Sequence, residues 1–201
     1  AAGATILSPF IPLLFMGEEY AEPNPFQYFV SHGDEELVEA VRTGRQKEFE
    51  AFNWQGTVPD PQAESTFEHS KLNHSLKETS PHAEMLAFYR ELLRLRRETP
   101  ALSRLDLESQ EVGTIPGTSI LWSIRRPETG DCLIVFNFAS HEQSVRLSLA
   151  EAGWECILNS QQSDWGGSDE SADDITFNHG AAEFEMAGRT LCVYLSGPTT
   201  T

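Results

Sequence analysis

A chain of 201 residues has room for one or two domains, and 39% hydrophobic with 22% charged residues places it among globular rather than disordered sequences. Its 31 acidic and 14 basic residues leave a formal net charge of −17. Nucleic acid and anionic membranes both select basic surface, so neither is an expected partner, whereas a neutral ligand such as a sugar is compatible with this balance.

No apolar run reaches the length of a membrane span. The first 15 residues are apolar, but they lack a basic start and carry Pro9 and Pro12, which argues against a signal peptide. Cys132, Cys156 and Cys192 lie far apart, in apolar runs, without metal-ligand spacing. They read as buried thiols of a reducing, cytoplasmic compartment, with one disulfide and one leftover thiol as the alternative. No glycine-rich phosphate loop, nucleophile elbow or zinc-type cysteine pair occurs, and no cofactor or metal is expected.

Taken in order, Ala1–Pro9 reads as the tail of a helix that stops at a proline. The sequence starts without Met, so residue 1 reads as a boundary inside a larger domain. Phe10–Met16 is a short, wholly apolar run that predicts a strand buried on both faces, as in a parallel sheet. It stops at Gly17, where the chain can turn, and Glu18, Glu19 and Tyr20 follow. In parallel α/β sheets and barrels such strand ends are where chemistry is placed, although a solvated acidic loop accounts for the two carboxylates equally well.

Next come Phe26, Tyr28, Phe29 and His32 in a proline-punctuated loop. Their rings could form a wall that stacks on pyranose faces, while packing under the loop is the ordinary explanation. Asp34 opens a helix with Glu35 and Glu36 in its first turn and Leu37, Val41, Phe49 and Phe52 as its apolar side, with Gly44 as a point of interruption. Asn53–Ser80 is a long polar segment with little periodicity. His69 and His74 within it are too sparse a ligand set for a metal.

Ser80 and Pro81 predict the cap and first position of the clearest helix. Met85, Leu86, Phe88, Tyr89, Leu92, Leu93 and Leu95 give it a broad apolar face, and Arg90, Arg94, Arg96 and Arg97 a basic surface near its C-terminal end. Thr99-Pro100 ends it. From there the texture changes to short strands at 105–111, 119–125, 132–138, 144–149, 154–158, 174–177, 182–186 and 190–195. Such spacing predicts an antiparallel β-sandwich with Leu133–Phe136 as its central buried strand.

Glu18 and Glu19 are neighbours on one segment, so their side chains diverge. They do not read as the acid/base and nucleophile of a retaining glycosidase, which stand roughly 5 Å apart across the sugar. Three stretches nevertheless resemble the malto-oligosyltrehalose trehalohydrolases of the α-amylase superfamily of glycoside hydrolases. They are Leu14–Tyr20, Pro25–His32 and Glu39–Phe49, with Val58–Gln62, Thr66–Leu72 and Phe88–Arg97 continuing the similarity. Leu133–Phe138 and Ser163–Gly167 resemble the C-terminal β domain of these enzymes more loosely.

The resemblance implies an α/β part followed by an all-β part. Residues 1–100 would be the tail of a (β/α)8 barrel, with Phe10–Met16 as its last strand, and residues 101–198 an antiparallel β-sandwich. It implies hydrolysis of the α-1,4 bond beside the trehalose end of maltooligosyl trehalose, by a retaining mechanism without a cofactor. The family's three catalytic carboxylates would lie upstream of Ala1, so no catalytic residue is assigned and the chain alone is expected to be inactive. Glu18, Glu19, Tyr20, Phe26 and Tyr28 are the candidate substrate-binding residues. The implied partners are maltooligosyl trehalose or a related α-glucan and the upstream barrel segments. Two other readings stay open: a non-catalytic β-sandwich that binds glucan or only packs, and the tail of another superfamily enzyme such as a branching enzyme.

Overall fold

The computed structural model describes residues 1–51, 56, 58–127, 130–149, 153–168, 175–178 and 181–197. Among the described residues, five α-helices precede eight strands: α1 (Ala2–Leu7), α2 (Glu35–Ala51), α3 (Glu64–His69), α4 (His82–Glu98) and α5 (Pro100–Ser103). The strands are β1 (Gln110–Thr114), β2 (Ile120–Arg125), β3 (Cys132–Asn137), β4 (Gln143–Leu147), β5 (Trp154–Asn159), β6 (Thr176–Asn178), β7 (Ala181–Met186) and β8 (Thr190–Ser196). All pairings are antiparallel and form a five-stranded sheet in the order β1-β2-β3-β8-β5 and a three-stranded sheet in the order β4-β7-β6.

The alternation of β3 explains why its sequence is apolar throughout. Cys132, Ile134 and Phe136 face one way and pack with Ile6, Leu7, Leu92, Leu95 and Leu102 of α1, α4 and α5. Leu133 and Val135 face the other way, onto Val145, Leu147, Ala182 and Phe184 of the smaller sheet. Strand β8 divides likewise, with Leu191 and Val193 toward the helices and Cys192 and Tyr194 toward the smaller sheet. Helices, large sheet and small sheet thus form three layers with two cores. Asn137 ties the layers at one end: its Nδ2 donates to the carbonyls of Met186 (2.9 Å) and Ala187 (3.0 Å).

The predicted sandwich and its central strand are present, and so is the opening helix that ends before Pro9. Other expectations need correction. Residues 10–16 form no strand: Ile11 is 82% and Leu13 92% exposed. A parallel strand takes its hydrogen bonds from neighbours, and no described strand lies beside this run. The first sheet strand starts at Gln110, not at 105, because residues 106–109 turn, with Asp106 accepting from the Glu108 amide (2.9 Å). Ser80 is not the cap of α4; Pro81 stands there and no side chain caps the helix. Gly44 does not interrupt α2, whose Asp34 carboxylate accepts from the Leu37 amide (2.8 Å). None of the α2 residues is buried, so its apolar side is only partly covered. Cys132 and Cys192 are buried thiols, but Cys156 is exposed. Phe52 and Asp174 lie outside the described residues.

Candidate functional site

Gly17 adopts a positive φ of 89°, and the chain doubles back into a 3₁₀ turn at Glu18–Tyr20 that closes at Ala21, also left-handed with φ 53°. Only glycine takes the first of these conformations without steric cost. Both carboxylates fold back on their own turn. Glu18 Oε2 accepts from the Phe15 amide (3.0 Å), and Glu19 Oε2 from the Gly17 amide (2.9 Å). Glu18 Oε1 also accepts from the Tyr89 hydroxyl of α4 (3.3 Å), and burial together with the Glu18 charge pushes that phenol up to about 12.

Tyr20 is fully buried. Its hydroxyl donates to Glu22 Oε2 (2.9 Å), and burial, helped by Glu22, pushes it up to about 12. His82 Nδ1 lies 2.7 Å from the Tyr20 carbonyl, and Lys77 Nζ sits 4.8 Å from the ring centroid. The residue that organises this corner is Glu22, which sequence reasoning missed. Besides Tyr20 it accepts from the Asn73 amide at Oε2 (2.6 Å) and from the Asn24 amide at Oε1 (3.0 Å). Desolvation would raise its pKa, but these amides, the phenol and His82 outweigh it and hold the carboxyl below its ordinary value. The signal was a carboxylate two residues after a buried tyrosine, too short a pattern to stand out.

The aromatic loop continues from this turn as a row of edge-to-face rings: Phe15–Phe26 at 5.4 Å, Phe26–Phe29 at 6.1 Å and Phe29–Phe67 at 5.1 Å. The row rests on the polar segment, which holds α3 and a 3₁₀ turn at His74–Glu78 that its composition did not announce. Asn24 Nδ2 donates to the Lys71 carbonyl (2.8 Å) and the Gln27 amide to Ser70 Oγ (3.0 Å). Arg42 and Asp60 form a two-bond pair at 2.9 and 2.8 Å that ties α2 to the same segment.

A hollow of about 140 Å³ opens between Phe15, Gly17, Glu18, Glu22, Asn24 and Phe26. The fold therefore brings Glu18 and the 53%-exposed Phe26 together, with Glu19 in the same turn and Tyr20 beneath it. Tyr28 is separate: it is 47% exposed beside α2, with the Arg45 guanidinium 5.0 Å over its ring. A larger hollow, about 510 Å³, lies between α1, α4 and the large sheet and also touches Glu18. Chemically the turn offers aromatic faces and carboxylate acceptors already engaged by amides, a set suited to holding hydroxyls rather than moving protons. Among the described residues, no group of three His, Cys, Asp or Glu is placed to hold a metal ion, and no helix is long and apolar enough to cross a membrane.

Residues 116–196 match the family model of the alpha amylase C-terminal all-beta domain. The chain is 48% identical over 146 residues to a malto-oligosyltrehalose trehalohydrolase of Rhizobium sp. (strain M-11), covering 72% of this chain and 24% of that protein. It is 49% identical over 113 residues to the enzyme of that name from Brevibacterium helvolum, covering 56% of this chain and 19% of the relative. The chain thus spans a quarter or less of these relatives' length. Among solved structures, a Salmonella typhimurium protein provisionally assigned as an alpha amylase superposes with a TM-score of 0.69 at 32% identity, over 97% of this chain and 30% of that one. An alpha-amylase from H.orenii, at 14% identity and a TM-score of 0.57, shares the fold over 97% of this chain and 34% of its own. The chain therefore carries the α-amylase C-terminal all-β domain behind the tail of a barrel, and it resembles the C-terminal portion of the malto-oligosyltrehalose trehalohydrolases of the α-amylase superfamily.

Proposed function

We propose that this chain is the C-terminal part of a glycoside hydrolase that cleaves the α-1,4-glucosidic bond next to the trehalose end of maltooligosyl trehalose and releases trehalose. Residues 1–100 would complete the catalytic barrel and residues 101–198 form its β domain. The observation that carries this reading is the 48% identity that runs over 72% of the chain, more than the all-β domain alone could supply. In the complete enzyme Glu18 and Glu19 hold the shape of the groove mouth and Phe26 lends it an apolar face. Tyr20 supports the turn from below, and Tyr28 extends the wall along α2. The carboxylates of the turn are engaged by the Phe15 and Gly17 amides, which favours a binding role over acid–base catalysis. The chain alone is inactive, and the buried thiols Cys132 and Cys192 favour a cytoplasmic setting.

The test is trehalose release from maltooligosyl trehalose, comparing this chain with the gene product extended upstream. Release by the extended protein alone supports the proposal. Release by neither moves the specificity to another α-glucan, and release by the 201-residue chain overturns the inactive-tail reading.

A further inference from the structure

Between the end of α1 and the turn at Glu18 the chain has no regular structure, so side chains rather than a ladder hold it. Three side chains that lie seven residues apart on α4, His82, Tyr89 and Arg96, reach this stretch or the turn that follows it. Seven residues are close to two helical turns, so the three share one stripe that runs roughly 21 Å along the helix. His82 meets the Tyr20 carbonyl at 2.7 Å, and Tyr89 donates to Glu18 Oε1 at 3.3 Å. Arg96 donates to the carbonyls of Ile6, Ser8 (2.6 Å) and Phe10 (2.7 Å).

A fourth side chain reaches the same segment from the β domain. Arg125, the last residue of β2, is only 1% exposed. It donates to the carbonyls of Leu7, Ala101 (3.2 Å) and Leu102 (3.4 Å), while its Nε is buried without a hydrogen-bond partner among the described residues. Neither Arg96 nor Arg125 has a carboxylate at ion-pair distance among the described residues. Both cations instead meet carbonyls at and beyond the C-terminus of α1, and Arg125 also meets those of α5; helix C-termini leave such carbonyls without intrahelical partners and carry negative partial charge. A buried guanidinium without a counter-ion is costly compared with an apolar side chain of that size, so its presence here points to placement rather than stability.

We propose that Arg125 is a positioning residue through which the β domain sets the candidate sugar site. By holding the Leu7 carbonyl beside the carbonyls gripped by Arg96, it fixes where the chain leaves α1. The His82–Tyr89–Arg96 stripe then carries that placement to the Gly17–Tyr20 turn. The functional half of this statement rests on the proposed sugar-binding role of the turn; the mechanical half does not.

Amide hydrogen exchange on the 201-residue chain tests the mechanical half. The reporters are the Phe15, Gly17, Glu18 and Tyr20 amides, each hydrogen-bonded within the turn. In Arg125→Met they should exchange at least about 10-fold faster, while β3 and β8 amides change by less than about threefold. Arg125→Lys should restore part of the protection, since an ammonium keeps donors but not the planar fork. Unchanged turn exchange, or equal acceleration throughout the β3–β8 ladder, overturns the proposal. Should Arg125→Met fail to fold, Arg96→Met, which leaves the sheet intact, must loosen the same four amides or the proposal fails. In the extended enzyme, Arg125→Lys should raise KM by about fivefold with kcat within twofold, the pattern of lost uniform binding; an equal fall in kcat and kcat/KM refutes the functional half. An extended enzyme that releases no trehalose before any substitution sinks the functional reading alone and leaves the exchange result standing.

Discussion

Replacing Glu22 with glutamine separates its charge from its shape. The native carboxylate accepts three hydrogen bonds, from the Tyr20 hydroxyl and the Asn24 and Asn73 amides. A hydrogen bond to a charged group contributes about 1.5–3 kcal/mol when buried. Glu22 is half-buried, so solvent screening reduces this to about 1 kcal/mol each. The amide keeps one acceptor oxygen and turns two donor hydrogens toward existing donors, giving a loss of about 2 kcal/mol. For a chain of this size that lowers Tm by about 4–8 °C. The pH dependence follows from the depressed carboxyl. Glu22 binds its proton less readily folded than unfolded, so its contribution is complete above the unfolded pKa of about 4.3 and is lost as pH falls through the lower folded value. Thermal melts of the native chain and Glu22→Gln at pH 7 should therefore differ by this amount, and the gap should narrow as pH drops to about 3. A gap that is absent at pH 7, or that stays constant into acid, refutes the assignment of Glu22 as the charged anchor of the turn.

Gly17→Ala forces a side chain into a left-handed backbone with its Cβ 2.7 Å from Glu22 Cβ, and should cost about 1–3 kcal/mol in urea unfolding while shifting the Asn24 and Asn73 amide resonances. Leu133→Ala empties a site buried between the two sheets and should cost about 2–5 kcal/mol by the same assay, with no change in the aromatic row. A thiol reagent at pH 8 should label Cys156 quickly in the folded chain and leave Cys132 and Cys192 until denaturant is added. Burial pushes the Cys132 thiol up to about 12, and contact with Cys156, together with burial, pushes Cys192 up as well. Rapid labelling of all three would show that the two-sided burial of the large sheet is wrong.

Legibility followed the range of the interactions concerned. Strands such as Leu133–Phe136 announce themselves because each residue has a core to enter, and the apolar run states both cores at once. Helix α4 was equally plain, since Tyr89, Leu92 and Leu95 recur at its own period. Phe10–Met16 carries the same kind of signal, but pairing depends on neighbours, and no described strand lies beside it. Helix α3 and the turn at His74–Glu78 were invisible because they are short and largely exposed, held by single side-chain bonds such as Thr66 Oγ1 to the Asp60 carbonyl (2.6 Å). Arg96 looked like one more basic surface residue beside Arg94, which pairs with Glu91 and Glu98. Only the fold shows it turned inward, onto carbonyls about 90 residues away.

The large sheet wears helices on one side and a second sheet on the other, and this makes the β domain a poor candidate for transplantation. Strands β3 and β8 would reach a foreign host with Ile134, Phe136, Leu191 and Val193 bared in a single apolar tract. Exposed tracts of that kind bring partners or aggregation. A chimaera that keeps only the stretch recognised as the all-β domain, residues 116–196, should therefore precipitate or borrow a cover. One that carries α1, α4 and α5 along brings its own lining. The natural unit of exchange in this architecture is the sheet together with the helices that roof it.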